Sequence, residues 1–599
     1  MKQASPVTYR ITPSSPEAHL FQVTLTIARP DPQGQQVALP AWIPGSYMIR
    51  EFARNIVRIA AASKGKEVAL RKLDKHTWEA APCNGPLVIS YEVYAWDLSV
   101  RAAHLDQGHG FFNGTSVFFR VLGQEDAAHE IEIAPPAGRR YADWRVATTL
   151  PRMRGTRAYG FGLYRAANYD ELIDHPVEMG TFTLATFRAC GVPHDIVITG
   201  EHDCDLRRLA ADLKKICEHQ LRFFHGPRAN PGNIPYPRYV FMTLALSEGN
   251  YGGLEHRAST ALICGRNDLP YVGMQGMTDS YRTFLGLCSH EYFHNWNVKR
   301  IKPAAFTPYD LTRENYTSLL WAFEGFTSYY DDLVLVRAGL ISQQEYFELV
   351  AKTAQSVLRG AGRKKQAVAE SSYDAWTKYY RQDENAPNAI VSYYTKGSLV
   401  GLCLDLLLRR ETGGKRSLDD VMKLLWRDFG SKGIGVPEDG IEQASYTVAG
   451  PAAKRVLAAF FRTAVYGTDD LPLQNLLAGA GIEFKIEPGS AATLGARTAS
   501  APDGVKLTHV LDGGGAQQAG LSAGDVVIAV NSLKASLAGL EKQLARKRKG
   551  ASVVVHAFRR DELLERVVKL GPAELSVRIS AAERSPAAAR KLRAAWLGG

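Results

Sequence analysis

The five residues His290-Glu291-Tyr292-Phe293-His294 constrain this chain more than any other feature. On an α-helix, positions i and i+4 share one face, so the two imidazoles can close on a single metal ion while Glu291 points beside them toward a bound water. Composition alone would yield such an H-E-x-x-H pattern in this chain fewer than about 0.04 times. A lone histidine in an apolar helix is ordinarily a satisfied core residue, whereas two bracketing a glutamate predict a zinc site. The flanks agree: Asp279 or Ser280 is expected to cap the helix, and Tyr281, Phe284, Leu285 and Leu287 supply apolar faces that bury it.

A catalytic zinc takes three protein ligands and keeps one position for water. Glu324, within the apolar, aromatic run LLWAFEGFTSYY, is the expected third ligand, because a carboxylate buried there is costly unless it meets a cation. Glu314 competes, but it sits in the polar segment LTREN, where a helix-start charge is the simpler reading. Two neutral imidazoles and one carboxylate leave the site net positive, which lowers the pKa of a bound water to about 7. Glu291 is then placed to take that water's proton and pass it to a leaving amine. The oxyanion needs a second electrophile, and SYYTKG offers two hydroxyls, Tyr393 and Tyr394, between which the residues alone do not choose. Upstream, the strand-like YVFMTLAL (239–246) is followed by SEGNYGGLEHR. There Gly252 and Gly253 leave backbone open to an extended peptide, and Glu255 can hold a free α-ammonium; a plain Gly-Gly turn followed by an acid fits the same letters.

Around this site, 599 residues suit three or four domains. A composition of 45% hydrophobic and 22% charged residues excludes disordered, collagen-like and coiled-coil chains. The net charge of +11 over this length favours acidic partners only weakly. The exposed-looking run Lys542, Arg546, Lys547, Arg548, Lys549 reads as a solvated helix face, so no nucleic acid is expected. The longest apolar run, 398–408, is broken by Asp405, so no membrane span is expected. The N-terminal MKQASPVTYR lacks the apolar stretch of a leader, and seven scattered cysteines form no C-x-x-C pair. Both point to the cytoplasm and to no disulfide framework. From about residue 7 to 169, short alternating runs broken by Pro, Gly and Asp predict strands; helical patterns then dominate to about 466, and strands return at VKLTHVL, GDVVIAV and ASVVVHAF.

Taken together, HEYFHNWN, WAFEGFTSYY, SYYTKG and GGLEH resemble the glycyl-aminopeptidase family of zinc gluzincins, PDZ-bearing relatives of the aminopeptidase N family. AWIPGSYMIREFARNI, YAWDLSVRAAHLDQGHGFFNGTS and NYDELIDHPVEMG resemble that family's N-terminal domain, and GVKLTHVLDGGGAQQAGLSAGDVVIAVNS resembles a bacterial PDZ domain. The resemblance implies a multidomain α+β chain: an N-terminal β-rich domain (1–172), a thermolysin-like, mostly helical catalytic domain (173–474), a PDZ domain (475–575) and a tail (576–599). It implies His290, His294 and Glu324 as ligands of one zinc ion per chain and Glu291 as base. Tyr394, rather than Tyr393, is implied as the oxyanion tyrosine. Glu255 is implied as the amine anchor, with Gly252 and Gly253 as backbone contacts. Leu494 and Gly495 are implied in the PDZ carboxylate loop. Two departures bear on the pocket: His256 stands where the relatives have Asn, and the 29 residues between His294 and Glu324 are more than aminopeptidase N has.

The expected function is that of a cytoplasmic zinc aminopeptidase removing N-terminal residues, with Gly or Ala favoured because the resembled family favours them. An endopeptidase fed by its PDZ domain and a non-catalytic peptide-binding scaffold are the other two readings. Expected partners are peptide substrates and a peptide C-terminus at the PDZ domain.

Overall fold

The computed structural model describes residues 5–489 and 491–598. Residues 1–4 of the N-terminal stretch lie outside it. The chain forms two compact units, 1–315 with 426–435, and 316–425 with 436–599.

In the first unit, strands such as Leu20–Ile27 alternate buried and half-buried positions, as a period-2 pattern with one face on a core requires. They build a seven-stranded sheet and two four-stranded sheets. A five-stranded sheet follows, in the order Phe182–Ala189, Val192–Thr199, Tyr239–Leu246, Ser259–Gly265, Tyr251–Glu255. Its three inner strands run parallel, and Tyr251–Glu255 is an antiparallel edge strand with Gly253 opposite Leu262. The helix Leu206–His225 begins where the Asp205 carboxylate accepts from the amides of Arg207 and Arg208 at 3.1 Å. It packs on the helix Asp279–Phe293, which carries the H-E-x-x-H motif. The cap of that second helix is Thr278, whose hydroxyl accepts from Tyr281 N at 3.2 Å, in place of the expected Asp279 or Ser280. Thr278 has the extended backbone that lets a side chain fold back over the first turn, and Asp279 and Ser280 are already inside the helix.

The second unit holds the helices Leu320–Phe323, Gly325–Arg337 and Thr395–Glu411, and the C-terminal β-module. The apolar run 398–408 is a buried helix of this unit. Asp405 inside it is paired with Arg409 at 3.0 Å and accepts from Tyr329 Oη at 2.6 Å, which is how a fully buried carboxylate is tolerated. Among the described residues no helix is long and apolar enough to cross a membrane, and all seven cysteines are free thiols.

The β-module is a sheet whose edge is Ala496–Ala501, around a core that includes Val505, Leu507, Val527, Val555 and Val568. The AGLSAGD turn is closed by buried Asp525, which accepts from Ser522 N at 2.8 Å and pairs with Arg559 at 2.9 Å. Gly495 has φ +75°, and a Cβ there would lie 2.6 Å from Gly514 Cα, so the two glycines are in backbone contact. The five basic residues between 542 and 549 are exposed, but the helix ends at Ala545, so only Lys542 lies on a helix and Arg546 to Lys549 follow its end rather than forming the expected helix face. The last segment, about which the sequence is silent, is ordered. Leu575–Ala581 pairs with Ile482–Pro488, and the helix Ala587–Leu597 buries Trp596, whose indole N–H donates to Tyr329 Oη at 2.8 Å.

The segment 173–315 shares its compact unit with the N-terminal strands, and 316–425 shares its unit with the C-terminal module. Trp42 Nε1 donating to Asp310 O at 2.8 Å is one contact of the first kind. Asn388, exchanging hydrogen bonds with Val510 O and Asp512 N, is one of the second.

Candidate active site

The first unit brings His290, Glu291 and His294 together with Gly253 and Glu255. The motif helix is held from behind by Tyr292, whose hydroxyl lies 2.8 Å from His194 Nε2 and 2.5 Å from Tyr236 Oη, and by Gln220, which donates to Ser289 O at 2.9 Å. Those bonds fix the helix rotation and turn Glu291 and the histidines to its opposite side. His294 Nδ1 lies 2.6 Å from Asn297 O, so Nδ1 carries the proton and Nε2 presents a lone pair. That Nε2 is 3.0 Å from His290 Nε2. Two imidazole nitrogens converging in this way fit a divalent cation placed against both.

The edge strand passes directly over the Glu291 carboxylate. A Cβ at Gly253 would fall 2.1 Å from Glu291 Oε1, whereas at Gly252 it would meet nothing within 4 Å. The two glycines are therefore unequal. With Glu291 as the expected base, Gly253→Ala should displace its carboxylate and lower kcat/KM by about 10²-fold, the usual cost of moving a reacting group by about 1 Å. Gly252→Ala leaves kcat/KM within a few-fold. Steady-state kinetics on the two variants checks this, and equal effects would mean that the approach of the strand to Glu291 is unimportant.

Glu255 is 3% exposed at the end of the strand, and Gly45 closes over its carboxylate. Gly45 has φ +93°, and a Cβ there would sit 2.5 Å from Glu255 Oε2. The next residues are anchored on Asp174, which accepts from Arg257 N at 2.9 Å and pairs with Arg257 Nε at 2.8 Å and Lys299 Nζ at 2.7 Å. Burial would raise the Asp174 carboxyl, but Arg257 and Lys299 hold it well below the usual carboxylate range. Arg257 O in turn accepts from Asn295 Nδ2 at 3.1 Å, which ties the strand end to the loop after the motif helix. His256, the departure from the aminopeptidase N pattern, is buried with its Nδ1 3.8 Å from Asp174 Oδ1. Burial pushes its imidazole toward the neutral form against the pull of Asp174. Glu314 is half-buried in an irregular stretch, and among the described residues it does not come within ligand range of the histidine pair.

The second unit brings Glu324 to the SYYTKG segment. Glu324 stands where Leu320–Phe323 meets Gly325–Arg337, with right-handed helical backbone and its N–H bonded to Leu320 O at 2.7 Å, and it is 2% exposed. A Cβ on Gly325 would lie 2.6 Å from Gly397 Cα, and one on Gly397 would lie 2.7 Å from Trp321 O. The glycines of E-G-F and Y-T-K-G thus exist so that the two backbones can touch. Across this contact the Glu324 charge bears on Tyr379 and Tyr393, whose hydroxyls burial already pushes up. Tyr393 is fully buried, while Tyr394, at the start of the helix Thr395–Glu411, is partly open and 3.2 Å from Tyr380 Oη. Tyr379, Ser392 and Thr395 line a cavity of about 280 Å³ that Arg363 and Arg497 also border. Arg497 comes from the edge strand of the β-module.

Sequence reasoning named no role for Gly45, Asp174, Lys299 or Tyr380. The only signals were a Pro-Gly-Ser turn for Gly45 and an acid before His-Pro for Asp174.

Comparison with known proteins is consistent across the chain. Residues 8–181 match the model of the peptidase M61 N-terminal domain, 283–400 that of the M61 glycyl aminopeptidase, and 492–570 that of the PDZ domain. The crystal structure of an aminopeptidase N family protein from Idiomarina loihiensis is 40% identical, with a TM-score of 0.93 over 99% of this chain and 100% of that one. An M1 zinc metallopeptidase from Deinococcus radiodurans is 15% identical, with a TM-score of 0.48 over 79% of this chain and 95% of its own. No curated protein matches the chain.

Proposed function

From the premise that this chain belongs to the M61 glycyl aminopeptidase family, we propose that it removes single N-terminal residues from peptides with one zinc ion, Gly or Ala being favoured at the first position. The preference for small residues rests on the family. His290 and His294 would hold the ion, with Glu324 as third ligand in preference to Glu314. The facing Nε2 atoms and the burial of Glu324 support that set.

When bound, zinc supplies Lewis-acid polarisation of the attacking water and of the scissile carbonyl. Glu291 takes the proton of that water and delivers it to the leaving amine. Tyr394 donates its O–H to the oxyanion, a role for which its partial exposure suits it and the full burial of Tyr393 does not. The backbone at Gly252 and Gly253 pairs with the substrate, and Glu255 holds its α-ammonium.

The observation that carries the exopeptidase reading is the spacing along the edge strand. Gly253 and Glu255 lie on one face two residues apart, about 6.6 Å. The first touches the base and the second ends the strand with a carboxylate closed in by Gly45. A peptide laid along the strand therefore has room for about one residue between the ammonium site and the point of attack.

A PDZ-fed endopeptidase draws support from the open edge Ala496–Ala501 of the β-module. A scaffold without turnover would leave Glu291 without a task. Substrate acetylation separates the two enzyme readings. A charge-assisted contact at Glu255 is worth about 1.5–3 kcal/mol, so Glu255→Ala should lower kcat/KM on free-amine Gly and Ala peptides by roughly 10 to 150-fold with metal content unchanged. N-acetylated peptides should be poor substrates of both proteins. Equal cleavage of acetylated and free peptides by the wild type would put the endopeptidase first. We place the enzyme in the cytoplasm, acting on peptides and not on nucleic acid.

A further inference from the structure

Among the described residues one other cluster, well separated in sequence from His290 and His294, gathers metal-ligating side chains: His104, Asp106 and His109, each with a donor atom within 4.8 Å of the other two. They sit on a hairpin of Ala103–Leu105 and His109–Phe112, closed by a turn in which Asp106 Oδ1 accepts from Gly108 N at 2.6 Å and His109 N at 2.9 Å. The same carboxylate meets His104 Nε2 through Oδ2 at 3.1 Å. A fourth donor comes from the neighbouring strand Val177–Gly180: buried Glu178, whose Oε1 is 3.2 Å from His109 Nδ1 and accepts from Thr199 Oγ1 at 2.9 Å.

We propose that His104, Asp106, His109 and Glu178 form a second divalent-metal site, of the zinc class, that fastens this hairpin to the strand beside it. Two neutral imidazoles and two carboxylates sum to a charge of −2, which one divalent cation cancels, and nitrogen–oxygen sets of this kind suit zinc and its first-row neighbours. The two imidazole–carboxylate contacts bring nitrogen and oxygen donors together in pairs, and a bound ion would take the place of those contacts. The other nitrogen of His104, Nδ1, is buried with no hydrogen-bond partner. His104, His109 and Glu178 also line a cavity of about 20 Å³, the room of a single ion or water. Trp96 stacks on His104 at 4.9 Å, and the two imidazole rings stack on each other at the same distance, so both are held in place before any ion arrives. Four protein donors leave no position for substrate, so the ion is structural.

The test uses the full chain, incubated with zinc sulfate, exhaustively dialysed, and measured for metal per chain by inductively coupled plasma mass spectrometry. The wild type should hold two equivalents. Glu324→Ala should keep the second-site equivalent, and His104→Gln/His109→Gln should lose it while peptide turnover stays within about threefold. Zinc should raise the melting temperature of Glu324→Ala and not that of the combined Glu324→Ala/His104→Gln/His109→Gln variant. If the double substitution prevents folding, Asp106→Asn should weaken the second equivalent by 10 to 100-fold in a zinc titration. A wild type that holds one equivalent, lost with Glu324→Ala, overturns the second site and leaves the aminopeptidase reading untouched. Two equivalents that survive the histidine substitutions also overturn it.

Discussion

Glu291→Gln retains the wild-type metal content and loses turnover, with kcat lower by about 10² to 10⁴. Gln has the shape of Glu and keeps a polar group against Gly253, where the carboxylate is 5% exposed, so the helix and the histidine pair are undisturbed. What it lacks is a basic oxygen to take the proton of the attacking water. Glu324→Ala gives the opposite signature. With one of three proposed ligands gone, zinc affinity falls and activity falls with it, and excess zinc restores part of both. Metal analysis paired with kcat on a Gly-containing dipeptide distinguishes the two variants. Full metal and full activity in Glu324→Ala would remove Glu324 from the ligand set, with Glu314 the next residue to replace.

Tyr394→Phe lowers kcat by about 10² to 10³ with little change in KM, because the hydroxyl acts on charge that develops only in the transition state. Tyr393→Phe has a far smaller effect on kcat. The Tyr393 ring is fully buried, stacked against Tyr394 at 4.8 Å, and its removal from solvent leaves it a packing role. Tyr380 Oη lies 3.2 Å from Tyr394 Oη, so Tyr380→Phe is an informative companion. Equal losses at positions 393 and 394 would mean that the second electrophile is not Tyr394 alone.

Most of the candidate site was legible because its pattern is local. An i, i+4 histidine pair with a glutamate between needs only a helix, and helices declare themselves by period and cap. Even there the cap was misplaced by one or two residues, since Thr278, Asp279 and Ser280 are all competent capping residues and backbone geometry chooses among them. Glu324 stands out in the sequence by the cost of burying a charge, and it is buried, where a four-residue helix meets a longer one. The tail from 576 was unreadable for the opposite reason. Its strand and helix are ordinary in composition and gain their order from Ile482–Pro488 and Tyr329, roughly 90 and 270 residues away.

By itself, then, the sequence determined the β-rich beginning, the helical middle and the PDZ-like end, because residue type, periodicity and turn chemistry act over a few residues. Only the tertiary structure decided why four glycines stand where they do. Gly45 and Gly253 admit the carboxylates of Glu255 and Glu291, and Gly325 and Gly397 admit each other's backbone. It also decided which segments share a compact unit and that Asp174 holds the end of the Glu255 strand through Arg257. These are contacts between segments up to 210 residues apart. A missing Cβ looks the same in the sequence whether it serves a turn, a close approach or nothing, and only packing tells which.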